Sequence, residues 1–401
     1  MFRFAEAVSV RKGGLFMKKL SIYIHIPFCV KKCAYCDFVS FRYNGDAAKA
    51  YKTALFSEMD HCVDLCSDYE IKSIFVGGGT PSLMSEDFHE ELLGKIGGMA
   101  SIGKNAEITM EANPDSILER DTKRLRSAGY NRLSIGMQSF DDALLKKIGR
   151  IHDSRQSRLA FEHARMGGFN NISIDLMYGL PGQKMNAWEM DIKIAADELS
   201  PEHISAYSLI VNRDTPMQGI LEKSPELFPE DDKERDMHHL CTDMLRDRGY
   251  HQYEISNYSK EGFESAHNKT YWERGEYLGL GVAAHSFIGS RRFSNTNVMD
   301  DYLKRIENGG SGVIESEILT ERDALFEEIF LGLRMTKGID MGILGGKYDM
   351  DFTEMFRETI NSLKDNGIVA IKNERLLLTR KGMDISNGVF LEFLNVIDQK
   401  Y

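Results

Sequence analysis

Three thiols stand within eight residues of this chain, in the run Cys29-Val30-Lys31-Lys32-Cys33-Ala34-Tyr35-Cys36. Thiolates are the usual ligands of iron-sulfur clusters, and a cubane of four irons wants four of them. With three supplied locally, the fourth iron would keep an open position, as catalytic metal sites do. The amine and carboxylate of an amino acid would chelate such a position. Zinc is the other metal that thiols commonly hold, but its sites use paired Cys-x2-Cys knuckles, or one knuckle with a His pair. Cys-x3-Cys-x2-Cys is neither. Cys62 and Cys66, four apart on a predicted helix, read as small core residues, and so does Cys241.

Such thiols need a frame to hold them. From residue 20 to about 210, short β-rich runs alternate with helical patterns, the signature of βα units and a parallel sheet. Strands are predicted over 22–26, 71–76, 107–111, 132–137, 172–177 and 203–209, with helices over 47–66, 85–96, 117–128 and 186–199. Gly129 and Gly167 act as helix stops. Six βα units make a partial TIM-like barrel, an α/β fold. The cysteines follow its first strand, Gly77-Gly78-Gly79-Thr80 its second, Glu111 ends the third, Gln138 follows the fourth and Asp175 lies on the fifth. These are C-terminal strand ends, where parallel barrels carry their chemistry.

Residues 17–215 are expected to form this barrel, 216–315 an extension packed on it, and 316–401 a C-terminal α+β domain of winged-helix-like shape. The last would comprise two helices, a hairpin at 368–379 and a final helix. A proline- and charge-rich connection at 212–235 leads into a helix reaching residue 248, where His238 and His239 are expected to face solvent. Residues 1–16 show neither helical nor strand periodicity and read as an extension upstream of a natural start at Met17.

Composition narrows the function. A formal net charge of −11 repels a phosphate backbone. Winged helices often bind DNA, but residues 315–401 carry sixteen acids against eleven bases, so a protein-contact or lid role is expected there and no nucleic-acid partner. No apolar run approaches the ~18–20 residues that span a bilayer, and no secretory signal is visible. Six cysteines then argue for metal or redox chemistry in the cytoplasm rather than a disulfide framework.

At the cysteine run the chain resembles the radical S-adenosylmethionine superfamily, and the likeness spans the whole barrel region. The resemblance implies a 4Fe-4S cluster on Cys29, Cys33 and Cys36. The reduced cluster would donate one electron to the sulfonium of S-adenosylmethionine, releasing methionine and a 5'-deoxyadenosyl radical, with an electron donor such as flavodoxin or ferredoxin upstream. It further implies that the Gly77-Gly78-Gly79-Thr80-Pro81 segment, through Gly78 and Gly79, binds the methionyl amine and that Arg150 pairs with the methionyl carboxylate. Glu111, Gln138 and Asp175 would hydrogen-bond the ribose and the rest of the cofactor, Tyr35 would lie against the adenine, and Tyr23 and Thr80 would make further contacts. No catalytic residue is assigned.

Ile24-His25-Ile26-Pro27-Phe28-Cys29, Gly77-Gly78-Gly79-Thr80-Pro81-Ser82, Gly136-Met137-Gln138-Ser139-Phe140 and Asp175-Leu176-Met177-Tyr178-Gly179-Leu180-Pro181-Gly182 resemble the oxygen-independent coproporphyrinogen oxidase group. The true oxidase of that group decarboxylates propionates and typically has another cysteine two residues past the third ligand, and a longer N-terminal arm. Here Cys36 is followed by Asp37-Phe38, and at most twenty-eight residues precede Cys29. The chain resembles instead the HemW-type haem chaperone branch, marked by Cys-Asp-Phe and by His-Asn-x-x-Tyr-Trp, here His267-Asn268-Lys269-Thr270-Tyr271-Trp272. On residue chemistry alone His267 reads as a satisfied loop histidine and Trp272 as a core ring. The branch motif makes His267, Asn268, Tyr271 and Trp272 the expected haem site, with His267 as axial ligand and His285 as a second candidate. The expected function is to bind haem and deliver it to an acceptor, a haem-dependent enzyme of respiration. Coproporphyrinogen decarboxylation, and radical haem breakdown or methyl transfer, are the enzyme alternatives. One departure from the resemblance is Asn212, where relatives commonly have an acid.

Overall fold

The core strands are covered on both faces, yet apolar residues alternate along them with polar or small ones: Leu133, Ile135 and Met137 stand between Arg132, Ser134, Gly136 and Gln138, and Ile172 and Ile174 flank Ser173 before Asp175. Arg132–Gln138 is nonetheless buried at every position and Ile172–Tyr178 at all but Asp175. The computed structural model describes residues 17–400, so the expected extension at 1–16 lies outside the described residues.

All six expected strands are present, as β1 (Lys18–Ile26), β2 (Tyr69–Gly78), β3 (Ser101–Ala112), β4 (Arg132–Gln138), β5 (Ile172–Tyr178) and β6 (His203–Ser208). Each pairs in parallel with the next in sequence. Between them run α1 (Gly45–His61), α2 (Glu86–Met99), α3 (Thr122–Ala128), α4 (Ser154–Met166) and α5 (Met185–Lys193). The starts of α1 to α4 are set by side-chain caps from Asn44, Ser85, Asp121 and Asp153. Two of the expected helices are broken, and the one expected over 186–199 passes from α5 into a π-helical stretch at Ile194–Leu199. The segment 47–66 breaks at Cys62, and 117–128 breaks because the exposed Asp121 caps α3 at Arg124 N, 3.0 Å away. The segment 212–235, expected as a bare connection, contains the helix Pro216–Lys223.

Beyond it, α6 (Asp231–Arg246) leads to the hairpin β7 (His251–Glu254) and β8 (Asn257–Ser259), which pairs antiparallel with β6. A short helix α7 (Ala266–Trp272) follows, and then β9 (Tyr277–Leu280), which returns to the opposite side of the sheet and lies parallel to β1. The parallel core therefore has seven strands, not six. An antiparallel ribbon, β10 (His285–Ile288), β11 (Arg291–Asn295) and β12 (Val313–Ile318), extends that side to a twelve-stranded sheet that does not close.

A second apolar core spans Leu325 to Ile397. It is built from α8 (Glu321–Arg334), α9 (Arg357–Asp365), α10 (Arg380–Asp384) and α11 (Ser386–Lys400) around a small sheet of β13 (Ile339–Asp340), β14 (Val369–Lys372) and β15 (Arg375–Leu378). Polar bridges tie it to the body. Glu327 accepts from Arg274 at 2.8 Å and Arg292 at 2.6 Å, and Arg380 grips Asp243. His239, expected to face solvent, bonds Asp384 at 2.9 Å, while His238 is half-buried and stacks on Tyr178.

Candidate functional site

Because every strand of the parallel core ends on the same face, the loops after β1 to β6 surround one cavity of about 350 Å3. The cysteine loop leaves β1 at Pro27 and is pinned at several points. Phe28 O accepts from Thr80 N at 2.7 Å, Ile26 O from Gly79 N at 2.8 Å, and Ile148 O from Ala34 N at 3.0 Å. His25 Nε2 is 2.8 Å from Val39 O, which holds the far end of the loop to β1. The glycine run serves this closeness. A Cβ on Gly79 would lie 2.7 Å from Phe28 O, and Gly78, at φ +108°, would drive one into the His25 ring.

Cys29, Cys33 and Cys36 all line the cavity. All three are half-buried and free. Thr80 Oγ1 and Arg150 Nη1 each lie 3.6 Å from a sulfur, of Cys29 and Cys33 respectively. Burial pushes the Cys29 and Cys36 thiols up, the latter to about 11, so metal loading would have to displace their protons.

Arg150, Glu111, Gln138, Asp175, Tyr35, Gly78, Gly79 and Thr80 converge on the same cavity. Arg150 donates through Nη2 to Asn113 Oδ1 at 2.6 Å and to Gly136 O, and its buried Nε has no partner. Glu111 accepts from Gly78 N at 3.0 Å, and burial, reinforced by Asp175, pushes its carboxyl up to about 8. Gln138 holds a left-handed φ of 68° and accepts from the Tyr207 hydroxyl at 3.1 Å. Asp175 accepts from Ser134 at 3.3 Å, and its carboxyl is raised by burial. Tyr23 lies elsewhere. It lines a neighbouring cavity, with its hydroxyl 3.0 Å from His25 Nδ1. Sequence reasoning missed Asn113, Arg132 and Tyr207, which line the first cavity. Strand parity was a signal that could have found two of them: Asn113 stands two residues past Glu111, and Tyr207 two past Ser205, which lines the same cavity.

The segment expected to hold haem does not form one site. Glu107 anchors the start of α7, accepting from Ala266 N and His267 N at 3.0 Å each. From there the four side chains diverge. His267 is 1% exposed and stacks on Phe75, with Nδ1 3.0 Å from Ser73 Oγ and Nε2 2.9 Å from the Tyr271 hydroxyl. Burial lowers its pKa to about 3, so the ring is neutral, and neither nitrogen is open to an iron. Asn268 lines the first cavity and Tyr271 the second. Trp272 lies under the Arg334 guanidinium of α8, 4.6 Å from its ring centroid. The imidazole expected as an axial ligand is thus, in this structure, a core ring with both nitrogens engaged.

Comparison with known proteins adds the following. Residues 23–195 match the radical SAM superfamily, and residues 319–385 match the HemN C-terminal domain. The chain is 38% identical over 375 residues to heme chaperone HemW of Bacillus subtilis, covering 93% of this chain and 99% of that one. It is 36% identical to heme chaperone HemW of Lactococcus lactis over 383 residues, covering 95% and 98%. The solved structure of coproporphyrinogen III oxidase (HemN) from Escherichia coli superposes with a TM-score of 0.81 at 24% identity, covering 94% of this chain and 91% of that one.

Proposed function

The chain belongs to the HemW family of radical SAM proteins, and from that premise we propose that it binds haem and delivers it to an acceptor protein. The observation that carries this reading is the 38% identity to a heme chaperone across 99% of that protein's length. The oxidase likeness, at 24% identity, speaks for the fold.

Membership of the superfamily implies a 4Fe-4S cluster and S-adenosylmethionine. We assign the cluster to Cys29, Cys33 and Cys36. The cavity suits a zwitterionic cofactor: its guanidinium at Arg150 has an unpartnered Nε, and two half-buried carboxyls, Glu111 and Asp175, line it as well. At about 350 Å3 it falls within the ~300–1,000 Å3 of ordinary ligand pockets. When bound, the pair supplies one-electron chemistry at the sulfonium. The residues present would orient the cofactor's ends, Arg150 toward a carboxylate and Glu111, Gln138 and Asp175 toward hydroxyls.

No described helix is long and apolar enough to cross a membrane. All six cysteines are free, which suits a reducing compartment, and we place the protein in the cytoplasm. A respiratory haem enzyme as acceptor, and flavodoxin or ferredoxin as donor, complete the proposal.

The test is a pair of anaerobic incubations of the reconstituted protein. With haem, a saturable absorbance change at one haem per chain is expected. With coproporphyrinogen, reductant and S-adenosylmethionine, no protoporphyrinogen is expected. Turnover on the order of one per second or faster would shift the reading to the oxidase.

A further inference from the structure

We propose that haem docks in the second cavity, between the cluster loop and the β10–β12 ribbon, with His285 as its axial ligand. This rests on the haem-carrier reading and names the site that reading needs.

The cavity measures about 530 Å3, room enough for a drug-sized ligand. One wall is Phe38, 60% exposed, directly after the third cluster cysteine and Asp37, and another is Ile314, 47% exposed on the edge strand β12. Exposed apolar side chains facing a common space offer a flat macrocycle what water does not. Phenol rings of Tyr23, Tyr271 and Tyr277 add an aromatic lining. So the branch motif reaches this cavity through Tyr271, while its histidine does not.

Imidazole is the usual protein ligand of haem iron, and the ring must present a free nitrogen. Of the histidines, only His25 and His285 line this cavity, and His25 has both ring nitrogens engaged, Nδ1 by the Tyr23 hydroxyl and Nε2 by Val39 O. His61 and His251 sit on the surface at the end of α1 and the start of β7. His285 is exposed at the start of β10, makes no ring hydrogen bond among the described residues, and lines the cavity. It is also shared with an adjoining groove that contains Arg292. That guanidinium already holds Glu327 at 2.6 Å, but with five donors it can serve a propionate as well.

Phe38 lines this cavity and the cofactor cavity alike. Haem seated here would be one side chain away from the cluster loop, so loading of one site could be sensed at the other.

The experiment titrates haem into the full-length, anaerobically reconstituted protein and follows the Soret band. Wild type should give an imidazole-ligated band at one haem per chain. His285→Ala should lose that band position and about tenfold or more in affinity, with iron content and circular dichroism unchanged. Free imidazole added to His285→Ala should restore the band. Ile314→Glu should weaken affinity while leaving the wild-type band position, because it alters a wall and no ligand. An unchanged affinity and spectrum in His285→Ala would overturn the site and leave the carrier reading standing. No saturable binding in wild type would overturn the carrier reading itself.

Discussion

His267 Nε2 lies 2.9 Å from the Tyr271 hydroxyl, one helical turn further along α7, and this contact closes the imidazole off from both cavities. Ser73 occupies the other ring nitrogen at 3.0 Å. The pair acts as a wedge between the sheet and α7. It sets the direction of α7, from which Asn268 faces one cavity, Tyr271 the next and Trp272 the C-terminal domain.

His267→Ala should therefore cost stability rather than iron ligation. Loss of a buried ring and two hydrogen bonds is worth about 2–4 kcal/mol. Tyr271→Phe, which removes one hydroxyl, should cost about 1 kcal/mol. Chemical denaturation would measure both. The haem band position should survive in each variant, and its loss in His267→Ala alone would restore that residue as the ligand.

The contrast shows what residue order can and cannot convey. The six parallel strands were legible because short β-rich runs alternate with helical patterns. Tyr277–Leu280 was not, since a four-residue strand whose partner is β1 carries no local sign of that long-range pairing. The helix expected over 117–128 failed at Asp121, where a capping side chain outcompeted an apolar pattern that runs on either side of it. In the cofactor cavity, Glu111 and Asp175 were found by their place toward the C-terminal ends of strands and by the family resemblance. Arg132 was missed because it opens a strand and reads as a boundary residue, although it is 2% exposed. His267 was identifiable as a special histidine, but its orientation depends on Ser73, 194 positions earlier.

The thiols make the second prediction. A triple Cys29→Ala, Cys33→Ala, Cys36→Ala variant should lose nearly all of about four irons per reconstituted chain. Cys62→Ala with Cys66→Ala should retain them, since Cys66 is buried and neither residue lines the cavity with the other three. Equal iron loss from both variants would remove the cluster assignment.

Arg150 makes the third. It touches Cys33 Sγ only at 3.6 Å and is no ligand, so Arg150→Ala should keep iron while weakening S-adenosylmethionine binding by about tenfold or more. Arg150→Lys should recover part of the loss, because charge returns without the second arm that reaches Asn113. Equilibrium binding on the cluster-loaded protein is the measurement, and unchanged affinity in the Ala variant would exclude Arg150 from the site.

Asp191 gives a pH dependence with a definite sign. On α5 and 1% exposed, it accepts from Phe140 N at 2.7 Å and Ser139 Oγ at 2.8 Å, bracing the turn just after Gln138. Burial raises its carboxyl to about 7 against the opposing pull of those two donors. An unfolded aspartate titrates near 3.9, so between about pH 4 and pH 7 the folded chain keeps a proton that the unfolded chain has released. Stability from this group is full below the unfolded value and is lost as pH rises through the folded one, at up to ~1.4 kcal/mol per pH unit. Asp191→Asn cannot ionise, and its amide can still accept from Phe140 and donate to Ser139. Relative to that variant, wild type should lose stability progressively from pH 4 to 7, by on the order of 4 kcal/mol at most, and then run parallel to it. Melting temperatures of the two proteins, scanned at one rate across that range, would show the gap changing; a gap independent of pH would mean that Asp191 stays ionised in the fold and that the turn after Gln138 is held by a charged carboxylate.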